Sequence, residues 1–96
     1  MLYLVVENAK RQVRQAAKID IVNQKDVIVG LPGFTEGVGI TYNPKLDEIY
    51  IPYDNHASVH LIDFKKEGEL TEIKLPMYGN DATAIDINHD ILYVAS

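Results

Sequence analysis

The chain of 96 residues contains no cysteine, which excludes disulfides, thiolate metal centres and cysteine nucleophiles but assigns no compartment by itself. No apolar run approaches the roughly 20 residues that a membrane-spanning helix needs, so no membrane partner is expected. The opening "MLYLVVENAKRQ" meets charge too early for a secretory signal; with Met1 as the native start, the expected compartment is the cytoplasm. Positive charge is scarce. Nine Lys and Arg stand against fourteen Asp and Glu, giving −5 overall, split as +2 over residues 1–33 and −7 over residues 34–96. Nucleic acid requires a density of phosphate-neutralising side chains that such a chain lacks. The basic cluster from Lys10 to Lys18, which includes Arg11 and Arg14, reads as a solvated face or loop. Catalytic signatures are also missing. Ser58 and Ser96 sit in no G-x-S-x-G elbow, and "GLPGFTEGVG" fits neither a P-loop nor a dinucleotide fingerprint.

What is present is repetition. Tyr50 matches Tyr93 and Asp20 matches Asp63 at an offset of 43; Pro32 matches Pro76 at 44 and Ile40 matches Ile85 at 45. Tyr3 matches Tyr50 at 47, with the excess assigned to the loop "ENAKRQVRQAA". Each unit resolves into four segments rich in Ile, Val, Tyr, Thr and Leu: "GVGITYN", "EIYIPYD", "SVHLIDFK" and "LTEIKLP". Their alternation puts Val59, Leu61 and Asp63 on one face and His60, Ile62 and Phe64 on the other. Polar turns containing Asn, Asp or Gly separate them. Pro52 weakens its strand or marks an interrupted edge. Asn8–Lys18, built from good helix formers with Asn8 placed as an N-cap, fits a short helix as well as it fits a strand.

A four-stranded unit of about 43 residues has the period of a β-propeller blade. The expected fold is therefore all-β: propeller-type repeats amounting to about two four-stranded antiparallel blades, a partial propeller. Residues 1–33 form an incomplete blade, 34–78 a full one and 79–96 the start of the next. Such a piece leaves sheet faces and edges uncovered, so self-association or further blades are expected. Tyr3, Tyr50 and Tyr93 recur at equivalent places and read as packing residues.

Gly39–Asp63, "GITYNPKLDEIYIPYDNHASVHLID", resembles the YVTN family of propeller repeats. Gly39-Ile40, Asn43-Pro44, Tyr50-Ile51, the loop Asp54–Ser58 and Val59–Asp63 take the places of its Gly-Ile strand, proline turn, Tyr-Val strand, polar loop and Val-x-Val-Ile-Asp strand. Pro52 and Asn80-Asp81 depart from it. The resemblance implies a rigid disc that binds a protein or small-molecule ligand at its channel mouth, and carries no enzyme activity with it.

One constellation carries chemistry. With Ile40 laid on Ile85, Glu36 superposes on Asp81, each just before an innermost strand, and Asn80 adds an amide oxygen. Such oxygens suit calcium. The gluconolactonase and paraoxonase families are similar here, and the similarity implies Glu36, Asn80 and Asp81 as calcium ligands. A bound ion would polarise a lactone or ester carbonyl. Turn formation explains the same residues and is the favoured reading; three oxygens do not close a calcium site. His56 and His60, spaced i and i+4 across a turn and strand, are a weak zinc signature beside an exposed-surface role. The sequence reading is thus a non-catalytic binding scaffold without a resident cofactor, with a calcium-dependent lactonase or esterase fragment as its alternative and a plain β-sandwich fragment as a third.

Overall fold

Asparagine and aspartate end most of the strands, for a local reason. The computed structural model describes residues 1–8, 10–33, 39–53, 57–76 and 82–95. The strands are β1 (Leu2–Asn8), β2 (Val13–Asp20), β3 (Lys25–Leu31), β4 (Thr41–Asn43), β5 (Glu48–Tyr53), β6 (Ser58–Asp63), β7 (Glu69–Lys74), β8 (Ala82–Asp86) and β9 (Ile91–Ala95). Asn8, Asp20, Asn43 and Asp86 each close a strand. Their side-chain oxygens accept backbone N–H groups two or three residues on: Arg11, then Val22 and Asn23, then Lys45 and Leu46, then Asn88. These Asx-turns compete with continued extension. The last residue of each turn is left-handed, with Gln12, Gln24, Asp47 and Asp90 at φ 54–57°. The next strand then returns antiparallel four residues on, as in Asn8↔Val13, Asp20↔Lys25, Asn43↔Glu48 and Asp86↔Ile91. Between β6 and β7, Asp63 instead caps a 3-10 turn over Phe64–Lys66.

The fold is all-β, with three antiparallel sheets in chain order: β1-β2-β3, β4-β5-β6-β7 and β8-β9. Asn8–Lys18 is not helical but forms the β1–β2 hairpin. Helix propensity is a few tenths of a kcal/mol per residue. It is outweighed by the Asx-turn at Asn8 and by alternation that sends Arg14 and Ala16 into the interior. Pro52 lies inside β5, paired with Val59 and buried. It is tolerated because β4 pairs with β5 only as far as Thr41↔Tyr50, leaving no ladder there for proline to break.

Pairing also corrects the repeat alignment. Tyr3 faces Lys18 and Tyr50 faces Leu61, as offsets of 47 and 43 require. The excess, however, is not a longer loop. Both hairpins turn through four residues, so the surplus is Glu7 and Asn8 added to β1 with Val13 and Arg14 added to β2. In the innermost strands, Thr41 faces Tyr50 and Ala84 faces Tyr93. The offset there is 43, not 45, because Asn43 and Asp86 start equivalent Asx-turns and lock the register. Ile40 therefore corresponds to Thr83.

The sheets stack in chain order. Between the first and second lies the core of Ala16, Leu31, Ile49, Ile51, Ile62 and Phe64, with Tyr3, Val5, Val27, Val29, Ile40 and Leu70 packed against it. Each large aliphatic buried in this way contributes about 1.5–3 kcal/mol. The third sheet meets the other face of the second. There the Thr41 hydroxyl donates to the Thr83 carbonyl (2.7 Å), Lys45 Nζ reaches Asp90 (3.0 Å), and Tyr50 lies buried.

Candidate functional site

By antiparallel order, β1, β3, β5, β7 and β9 all run toward one edge of the molecule, and β2, β4, β6 and β8 start there. Just beneath that edge, between the first two sheets, is a polar cluster. Arg14 comes from the part of β2 that β6 lacks. Its side chain falls on the Ala16 face and is 1% exposed. Nη2 donates to the Pro32 carbonyl (3.3 Å) and approaches His60 Nδ1 (3.4 Å), while the guanidinium carbon sits 4.8 Å from the Tyr53 ring centre.

Cross-strand pairing supplies the rest. Ile51, His60 and Glu72 stand opposite one another, as do Tyr53, Ser58 and Lys74. The Tyr53 and His60 rings are 4.9 Å apart, and His60 Nε2 lies 3.8 Å from Glu72 Oε2. Glu72 is also paired with Lys74. A guanidinium has only donors, so His60 Nδ1 faces it as the acceptor. The imidazole proton then belongs on Nε2, toward Glu72. Gly33, at φ 70°, lets the chain pass directly over Tyr53, where an added Cβ would overlap the phenol oxygen. His60 and Ser58 are fully buried, so the cluster is a rigid foundation rather than an exposed acid–base pair.

On the outer face of the first sheet, behind Arg14, opens a cleft of about 490 Å³ lined in part by Val6, Asn8, Arg11, Val13, Arg14 and Gln15. Its size falls in the range of small-ligand sites, and its charged residues are both arginines. At the opposite edge a second polar knot ties the sheets. Tyr3 stacks on Tyr42 (4.2 Å between rings) and donates to Asp47 Oδ1 (2.7 Å), while Lys18 Nζ bonds Asp47 Oδ2 (2.5 Å). Burial raises the Tyr3 phenol well above its ordinary value, and the hydrogen bonds with Tyr42 and Asp47 push the same way. Burial works against ionised Asp47, but hydrogen bonds from Lys18 and Tyr3 and the lysine charge outweigh it, so its carboxyl is held below 3.8. Tyr50, the equivalent of Tyr3, is pushed up to about 12 by burial first and then by its hydrogen bond to Glu48.

Glu36, Asn80 and Asp81 lie outside the described residues. In sequence they fall between β3 and β4 and between β7 and β8, whose ends lie at the edge of the Arg14 cluster. The flanking strands correspond at offsets of 44 for β3 with β7 and 43 for β4 with β8, and the superposition of Glu36 on Asp81 falls in the stretch between those strands. Among the described residues, no three His, Cys, Asp or Glu side chains gather as a metal site. His56 is outside the described residues, and His60 is fully buried rather than surface-exposed. His89 bonds Asp86 (2.8 Å) in an exposed turn. The basic segment divides as well: Lys10 and Arg11 are solvated, Lys18 is half-buried and Arg14 is interior. Arg14 could have been found by placing the four surplus residues in the strands, because alternation from Ala16 then points it inward. Comparison with family models, curated proteins and solved structures returns no match.

Proposed function

We propose that the chain is a propeller-type repeat module acting as a non-catalytic scaffold, and that it binds its ligand at the edge above the Arg14–His60 cluster. The carrying observation is that equivalent residues meet the following sheet in the same way. Tyr3 of the first sheet and Tyr50 of the second are both covered by the next sheet, near Asp47 and Asp90, which are the left-handed residues of equivalent turns. Antiparallel sheets in chain order, the middle one four-stranded, are what consecutive blades would give, and the YVTN-type pattern at Gly39–Asp63 points the same way.

The repeat reading is tested by inserting a second copy of residues 44–86 after Asp86, so that Asp86 takes the place of Asn43 at the junction. The longer chain should unfold cooperatively at a higher temperature, since stacked repeats gain stability from each added neighbour. A chain that unfolds more readily than the parent refutes the reading. Binding and calcium-dependent hydrolysis separate on calcium: a scaffold shows no rise in Tm with the ion and no lactone hydrolysis, whereas a calcium enzyme shows both.

A further inference from the structure

Among the described residues two sheet faces have no cover, and the repeat says what should cover them. The outer face of the first sheet presents Leu2, Leu4, Val6, Val13, Ile19 and Ile28, with Val6 53% and Ile28 59% exposed. Offsets of 47 and 43 map Leu2, Leu4, Val6 and Ile19 onto Ile49, Ile51, Tyr53 and Ile62. Those four are the second-sheet residues that lie buried against the first sheet. The outer face of the third sheet presents Ala84, Ile91, Tyr93 and Ala95, with Tyr93 57% exposed. Tyr93 corresponds to Tyr3 and Tyr50, and each of those is covered by the sheet that follows it.

One molecule thus displays both halves of the interface that it already makes twice internally. We infer that the partner for these faces is a second copy of this chain, joined head to tail, with the first sheet of one copy seated on the Tyr93 face of the other. Such an interface is heterologous: the two surfaces differ, and each is available to a different neighbour. The inference rests on the repeat reading for its register, and on exposure and the residue-by-residue match of the two faces to the internal interface for its occupant.

Val6→Lys blocks the first-sheet face and Tyr93→Lys blocks the third-sheet face. Both side chains are more than half exposed, so neither change should disturb folding, which circular dichroism and the urea midpoint check. In sedimentation, the wild type should rise above the monomer mass of 10.8 kDa as concentration increases. Each variant alone should stay at the monomer mass. An equimolar mixture of the two should form a species of twice that mass, because each supplies the face that the other lacks. A wild type that stays monomeric overturns the inference, as does a mixture that fails to pair. So does Tyr93→Lys associating like the wild type, which would mean pairing between first-sheet faces. If the wild type is monomeric while the chain with the inserted unit is stabilised, the pairing alone is lost and the repeat reading stands.

Discussion

Gly33→Ala tests the geometry beneath the loop-bearing edge. Gly33 has φ 70°, and a Cβ there would overlap the Tyr53 hydroxyl oxygen and Cζ and lie 3.0 Å from Cε1. Two penalties add. A non-glycine residue in the left-handed region costs about 1–2 kcal/mol, and forcing an atom into packed space costs about 1–3 kcal/mol. Tyr53 cannot simply swing away, because it is buried between the Arg14 guanidinium and the His60 ring. The expected loss is about 2–5 kcal/mol, a large share of the roughly 5–15 kcal/mol that holds a domain together. Equilibrium urea unfolding reads it as a lower midpoint at unchanged slope. Tyr53→Phe removes the atom that the methyl strikes first. The double variant should therefore be more stable than the sum of the singles predicts, by about 1 kcal/mol or more. Gly30→Ala is the control: nothing lies within 4 Å of its Cβ position, so it should change stability by less than about 0.5 kcal/mol. A Gly33→Ala midpoint matching that of Gly30→Ala, or strict additivity with Tyr53→Phe, would refute the reasoning.

Other perturbations follow from the same contacts. Arg14→Ala should cost about 2–4 kcal/mol, since it opens a cavity and strips a buried acceptor of its donor, whereas Arg11→Ala on the exposed neighbour should cost less than about 0.5 kcal/mol; equal urea midpoints would contradict the burial of Arg14. Asp47 is held below its ordinary 3.8 in the folded chain, so its contribution is present above that value and is lost as pH falls through the lowered folded value. Asp47→Asn should accordingly weaken the protein by about 1–2 kcal/mol near neutrality, and its stability should fall less on acidification than that of the wild type; parallel acid profiles would exclude the Lys18–Asp47–Tyr3 knot. Tyr50, raised to about 12, contributes stability that is complete below pH 10 and drains away as pH climbs through 12. Absorbance titration of the six tyrosines should show a late-ionising component that Tyr50→Phe diminishes, and an unchanged late phase would disprove the assignment.

Strand order was legible in the sequence because two signals agreed there. Alternation marked "SVHLIDFK" and its neighbours, and turn residues such as Asn43 and Asp86 punctuated them. Register was less legible. Matching Ile40 with Ile85 aligns like side chains, but the chain is registered by where its Asx-turns begin, and a shift of two residues in an alternating strand preserves the apolar pattern and so goes unseen. Helix propensity misled at Asn8–Lys18 for a related reason: the segment's small residues hide an alternation that Arg14 completes with a charge. A basic side chain pointing inward is legible only once its acceptors are known, and Pro32 O and His60 come from strands far away in sequence.

The two inter-sheet contacts differ in kind. Tyr3 and Tyr50, Asp47 and Asp90, and the paired Asx-turns repeat from unit to unit, so they describe stacking. The Arg14 cluster does not repeat. At an offset of 43, Arg14 corresponds to Ala57, a turn residue, because β6 lacks the extension that carries Arg14 in β2. A buried cation is costly to retain where an aliphatic would pack, and the adjoining core is filled by Ile49, Ile51 and Ile62 without such expense. The four surplus residues of the first hairpin therefore do something that stacking does not require. They carry Arg14 between the first two sheets, where its guanidinium reaches the Pro32 carbonyl and lies against the Tyr53 ring.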